Sequence, residues 1–121
     1  MTTLTKFTDC ATDPVEKDTT DVAVAGTPKH IAWPHFIGDG GQVRSGVWES
    51  TAGSFRGPMK DQIEFCHILE GEAEIETGVG ERITVRVGDG FVMDNGLEPV
   101  WHVADYVKKH FVIIAIDPVG I

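Results

Sequence analysis

Glu64 and Cys66 stand two residues apart in the run Ile63-Glu-Phe-Cys-His-Ile-Leu-Glu70. On an extended chain, residues spaced this way share a face. A carboxyl group in apolar surroundings is pushed toward neutrality and can serve as a general acid or base in isomerisation, epimerisation or hydrolysis. The thiol is a weaker candidate nucleophile, because no histidine on its face stands near enough in sequence to activate it; the simpler role for Cys66 is a small buried apolar group. One glutamate with no visible partner base does not by itself specify an enzyme. Trp48 and Trp101 offer aromatic walls that stack on a ring, pack an alkyl group or hold a cation, or that simply fill a core.

These groups sit in an acidic chain. Its 121 residues are 41% hydrophobic and 24% charged, which fits one globular domain with a sizeable core. Asp and Glu number 19 against 10 Lys and Arg, for a net charge of −9. Such a surface repels phosphate backbones and anionic lipid, so nucleic-acid and membrane-surface roles are disfavoured, and a small-molecule partner remains open. No apolar run approaches the ~20 residues of a membrane helix. Cys10 and Cys66 are too few for a disulfide scaffold, and both are expected to be free thiols. The start of the chain lacks the basic and apolar regions of a secretory signal, so a cytoplasmic location is expected.

The elements that position these residues are strands. From about His30 onward, 14 Gly and 6 Pro in the whole chain punctuate short runs rich in Val, Ile, Phe and Trp. The expected strands are His30–Phe36, Val43–Ser50, Ser54–Arg56, Ile63–Glu70, Glu72–Thr77, Glu81–Val85, Phe91–Met93, Val100–Val103 and His110–Ile116. Charges at every second position of Glu72-Ala-Glu-Ile-Glu76 turn one face of that strand to water. Phe111-Val-Ile-Ile-Ala-Ile116 is apolar on both faces and is expected to be central and covered on each side. No long amphipathic helix is visible. Residues 1–26, rich in Thr and Asp, read as an N-terminal arm partly ordered by packing, with Phe7 and Val22-Ala-Val24 as anchors. That arm lies over its own domain or is exchanged with a second subunit; the sequence leaves both open.

Glu64-Phe-Cys-His-Ile-Leu-Glu-Gly71 with Glu72-Ala-Glu-Ile75 resembles the first motif of the cupin superfamily. Val87-Gly-Asp-Gly-Phe-Val-Met-Asp-Asn-Gly96 resembles the second, with Asp94 in place of the usual Pro. Ser45–Arg56, Trp101 and Lys109-His-Phe-Val112 are similar to a subfamily of small single-domain cupins that includes ethanolamine-utilisation relatives. The resemblance runs from about Trp33 to Ala115 and implies an all-β fold over residues 27–121, a jelly-roll barrel of two antiparallel sheets with a pocket at one mouth. It also implies that Glu64 points inward. Strand parity then turns Cys66 and Ile68 inward and Phe65, His67 and Leu69 outward.

Metal-dependent cupins hold their ion through a His-x-His, this Glu and a later His. Here Gly57-Pro-Met-Lys60 occupies the His-x-His region and Pro99 the later position, so no metal and no other cofactor are expected. His67 and His102 are placed on the outward face by parity, and His30, His35 and His110 in outer strands, all as structural histidines. A transition-metal site built from Glu64, Cys66 and a histidine is the alternative. The expected pocket is formed by Trp48, Glu64, Cys66, Trp101, Arg44 and Arg56, and binds a small organic molecule. Glu64 is either held protonated as a pocket acid, the favoured outcome, or paired with Arg44 first and Arg56 second. The competing function is an enzyme acting on a small metabolite, with Glu64 as general acid or base or with an atypical metal site. Outward Phe65 and Leu69 leave apolar surface to be covered, and a homodimer is expected to cover it.

Overall fold

The alternation of inward apolar and outward polar side chains resolves into eight strands in the computed structural model, which describes residues 3–116. Residues 1–2 of the expected arm and 117–121 of the expected domain lie outside that range. In chain order the strands are β1 (Val15–Lys17), β2 (Ala23–Ala25), β3 (His30–Gly38), β4 (Val43–Arg56), β5 (Gln62–Glu76), β6 (Arg82–Arg86), β7 (Gly90–Met93) and β8 (Val100–Ala115). They pair antiparallel in the order β1-β3-β4-β8-β5-β6, with β2 also on β4 and β7 also on β5. This is the all-β jelly-roll barrel that the resemblance implies.

Three long strands replace six of the expected short ones. β4 joins the expected Val43–Ser50 and Ser54–Arg56, β5 joins Ile63–Glu70 and Glu72–Thr77 but ends at Glu76, and β8 joins Val100–Val103 and His110–Ile116 but ends at Ala115. The glycines that read as turns are bends within strands: the register shifts between Thr51 and Gly53 in β4 and around Gly71 in β5. Each long strand therefore changes neighbours along its length. Residues 64–67 of β5 pair with β7, and residues 72–76 pair with β6. The hydrogen-bonded ladder passes from one side of the barrel to the other without a break.

The arm contributes structure of its own. β1 closes the edge of β3, with Val15 opposite Ala32 and Lys17 opposite His30, and β2 joins the far end of β4. Phe7 stacks on His35 at 4.9 Å, and Cys10 and His35 exchange contacts through the Cys10 carbonyl and the His35 Nδ1 at 3.0 Å. Cys10 and Cys66 are both free thiols.

Ile68, Val107, Trp101 and Cys66 are enclosed at the centre of the core, with Phe55, Ile75 and Val103 around them. β8 is central, between β4 and β5, but its outward face is only partly covered. Phe111 is buried, whereas Ile114 is 44% exposed, contrary to the expectation of cover on both sides. The outward face carries Phe65, Val92 and Ile114, and Leu69 is half-buried beside them. Among the described residues, no helix is long and apolar enough to cross a membrane.

Candidate functional site

Strand parity delivers the inward face. Glu64, Cys66 and Ile68 are all buried on β5, while Phe65 is exposed and His67 half-buried on the other side. On β8 the inward residues are Trp101, Val103, Val107, Lys109 and Phe111. β5 and β8 are hydrogen-bonded neighbours, so Lys109, placed opposite Ile68, can reach across to Glu64.

Lys109 is the residue that sequence reasoning misses. Its Nζ donates to Glu64 Oε2 at 2.6 Å, with both side chains almost fully enclosed. A second Nζ–H donates to Cys66 Sγ at 3.4 Å, and the Cys66 S–H donates to the same Glu64 oxygen at 3.2 Å. The three groups close a triangle. Trp48 and Trp101 flank the ammonium, with ring centroids at 4.6 and 4.7 Å, adding cation–π attraction where water is largely absent. Burial by itself would push the Lys109 pKa down, but the Glu64 carboxylate and the Cys66 sulfur outweigh it and raise the value. The Cys66 thiol, chiefly through burial, is pushed up to about 12, so it serves as a hydrogen-bonding link and not as a nucleophile. Glu64 is thus partnered by a lysine and not by an arginine. Its counter-charge comes from a strand 45 residues further along the chain.

This triangle borders a cavity of about 480 Å³. Trp48, Glu64, Trp101, Arg44 and Arg56 all line it, as does Lys109. Cys66 does not: it lies wholly behind Glu64 and Lys109. Phe55, Phe111, Met59 and Ile113 make the rest of the wall largely apolar. Arg56 donates to the Asp21 carbonyl in the arm. Arg44 stands in register with Ile113, which in turn stands opposite Glu64, and it forms no ion pair among the described residues.

His30 is a second correction. Expected in an outer strand, it is 7% exposed, on the cavity wall, with Trp48 and Phe55 edge-on at 4.8 and 4.3 Å. Its ring turns inward onto β4, and β1 pairs along the edge of β3 that the sequence leaves open. Among the described residues, His30 Nε2 is the buried side-chain nitrogen or oxygen without a hydrogen-bond partner. Its pKa falls to about 4, through burial first and then the positive charges of Lys109 and Lys17. Between pH 6.5 and 4 the unfolded chain takes up a proton that the folded chain refuses, so stability is full above pH 6.5 and is lost as pH falls toward 4. A loss of about 3 kcal/mol from this group is expected over that window. Thermal melts from pH 7 to pH 4 should show a shallower acid slope for His30→Phe than for wild type; parallel slopes would contradict this assignment.

The remaining histidines face outward. His102 bonds Glu76 at 2.9 Å and Ser54 at 2.8 Å, and His67 and His110 lie side by side with ring centroids 6.2 Å apart. Among the described residues, no three His, Cys, Asp or Glu side chains gather where they could hold a metal ion.

Comparison with known proteins bears on the whole arrangement. No curated protein matches the sequence. Among solved structures, a DUF861-family protein of unknown function from Pseudomonas syringae pv. tomato superposes with a TM-score of 0.73 at 22% identity; the match covers 86% of this chain but 44% of that protein. The Clostridium difficile EutQ protein superposes at 0.69 with 16% identity, covering 84% of this chain and 77% of that one. A DUF861-family protein from Thermotoga maritima is 34% identical over 54% of this chain and 73% of its own, with a TM-score of 0.51. The likeness to the first two shows the fold alone. The family model described as the EutQ-like cupin domain matches residues 37–111, most of the barrel including Trp48, Glu64, Trp101 and Lys109, and the chain belongs to that family.

Proposed function

We propose that the barrel is a binding module for a small organic molecule, and that it works without a metal ion. The observation that supports this most is the cavity wall itself. An apolar, aromatic lining surrounds a few convergent polar groups, the pattern of small-molecule sites. One of those groups has unused capacity. Lys109 spends two of its three N–H donors on Glu64 and Cys66, and a ligand oxygen reaching the floor of the cavity would satisfy the third.

The donor set does not fit a transition metal. A cation sharing Glu64 Oε2 would stand where the Lys109 ammonium stands, and two positive charges cannot occupy that place. The next donor, Cys66, is a thiol that gives up its proton only at strongly alkaline pH. The ammonium thus takes the electrostatic role of a metal ion. It neutralises Glu64 and fixes its position, but it offers no open coordination site.

The test is a ligand-observed NMR screen of neutral, acidic and basic fragments against the full chain. Ala32 and Ile113 both line the cavity, so Ala32→Phe and Ile113→Phe should each fill it. Fragments are expected to bind wild type, to lose binding in both filled variants, and to be recovered unchanged. Binding that survives in the variants would remove the cavity from consideration. Conversion of a bound fragment would replace the binding module with an enzyme.

A further inference from the structure

The charges around the cavity do not follow those of the chain. The protein carries −9 overall, yet the cavity is lined by four cationic side chains, Lys17, Arg44, Arg56 and Lys109, against two carboxylates, Asp18 and Glu64. Both carboxylates are engaged: Glu64 by Lys109 and Cys66, Asp18 by the backbone N–H and hydroxyl of Thr20. Two of the cations are not. Among the described residues, Arg44 and Lys17 have neither an ion pair nor a side-chain hydrogen bond, whereas Arg56 donates to Asp21. Among the described residues, Arg44 and Lys17, both exposed, therefore place unmatched positive charge at the rim of the cavity of an acidic protein.

We infer that the ligand of this cavity is a small organic carboxylate, its apolar body against Trp48 and Trp101 and its carboxylate held by Arg44. This rests on the small-molecule reading above and narrows it to a chemical class. Arg44 is suited to the task by position as well as charge. It stands on β4 with the same parity as Trp48, four residues on, in register between Ile37 and Ile113, and its side chain is exposed at the rim of the cavity. Its guanidinium can take both carboxylate oxygens in a planar fork, with little competition from other acceptors. The buried ammonium is a poorer anchor, because a second anion beside Glu64 would repel the first across a water-poor gap. The acid group thus belongs at Arg44, and the apolar body of the ligand belongs against the two indole rings.

Matched pairs test the charge alone. Phenylacetate against phenylacetamide, benzoate against benzamide, and phenyl phosphate as a dianion are titrated into the full chain by NMR, at low salt and with added sodium chloride. Each acid is expected to bind at least tenfold more tightly than its amide. The ratio should fall to near one in Arg44→Gln, recover in part in Arg44→Lys, and persist in Lys17→Gln. Acids and amides that bind equally well would overturn the carboxylate while leaving the small-molecule reading intact. A preference untouched by Arg44→Gln, or a phosphate that binds more tightly than either acid, would overturn the anchor. Silence from every compound and from the fragment screen would sink both readings together.

Discussion

Lys109→Met should lower the stability of the folded chain by about 3–5 kcal/mol at neutral pH, because it leaves Glu64 buried without its counter-charge. Glu64→Gln should cost less. The stranded ammonium keeps the two indole faces at 4.6 and 4.7 Å and its bond to Cys66. The double variant Glu64→Gln, Lys109→Met should recover most of the loss, since it removes both charges and puts a side chain of similar length in the apolar site. Denaturant unfolding of the four proteins gives the coupling directly, and at least ~2 kcal/mol is expected. Additive single effects would show that the pair is not coupled. The pH dependence has a definite sign. The Lys109 pKa is raised in the fold above its ordinary 10.5, so its contribution is complete below that pH and is lost as pH rises through the folded value. Wild type should therefore weaken in alkali more steeply than the double variant.

That pair also marks the boundary of what the sequence makes legible. Period-two alternation is a local property, and it places Glu64, Cys66 and Ile68 on one face, and Arg44 with Trp48 on another, without reference to the rest of the chain. Which strand lies beside which is not local. The arginines look like the counter-charge of Glu64, because nothing in the run Lys108-Lys109-His110 says that β8 lies next to β5. Yet a usable signal is present: Lys109 is eight residues from Trp101 and two from Phe111, so it shares their inward parity. That signal is masked because the polar stretch Ala104–Lys109 reads as a gap between two strands, not as the middle of one. His30 is hidden for a different reason. Its ring packs on Trp48 and Phe55 of β4, and β3 is no outer strand because Val15–Lys17, three exposed residues whose pattern announces no strand, pair onto it. The turn glycines mislead in the same way, since a positive φ marks a change of direction and does not say whether the strand ends there.

Gly71 is where that last distinction has its largest expected effect. It sits inside β5 at φ +71°, in the left-handed region that disfavours every side chain, where the strand changes its partner from β7 to β6. The opposite strand passes so close that a Cβ would overlap the Tyr106 carbonyl oxygen and press on the Tyr106 carbonyl carbon at 2.8 Å. Both atoms are backbone in the central strand β8, so no rotamer change can relieve the overlap. Gly71→Ala should therefore destabilise by about 3 kcal/mol or more, the left-handed strain and the steric overlap adding together. For a domain of this size that corresponds to a fall in Tm of roughly 10 °C or more. Gly80 separates the two causes. It has φ +80°, with no atom within 4 Å of the place a Cβ would take, so Gly80→Ala should cost only the backbone strain, about 1 kcal/mol. Gly78, with neither feature, should tolerate Ala with almost no change. If melting curves put Gly71→Ala beside Gly80→Ala, β5 and β8 do not approach as closely as the bend requires. The register that brings Lys109 to Glu64, which depends on that bend, would then need to be redrawn.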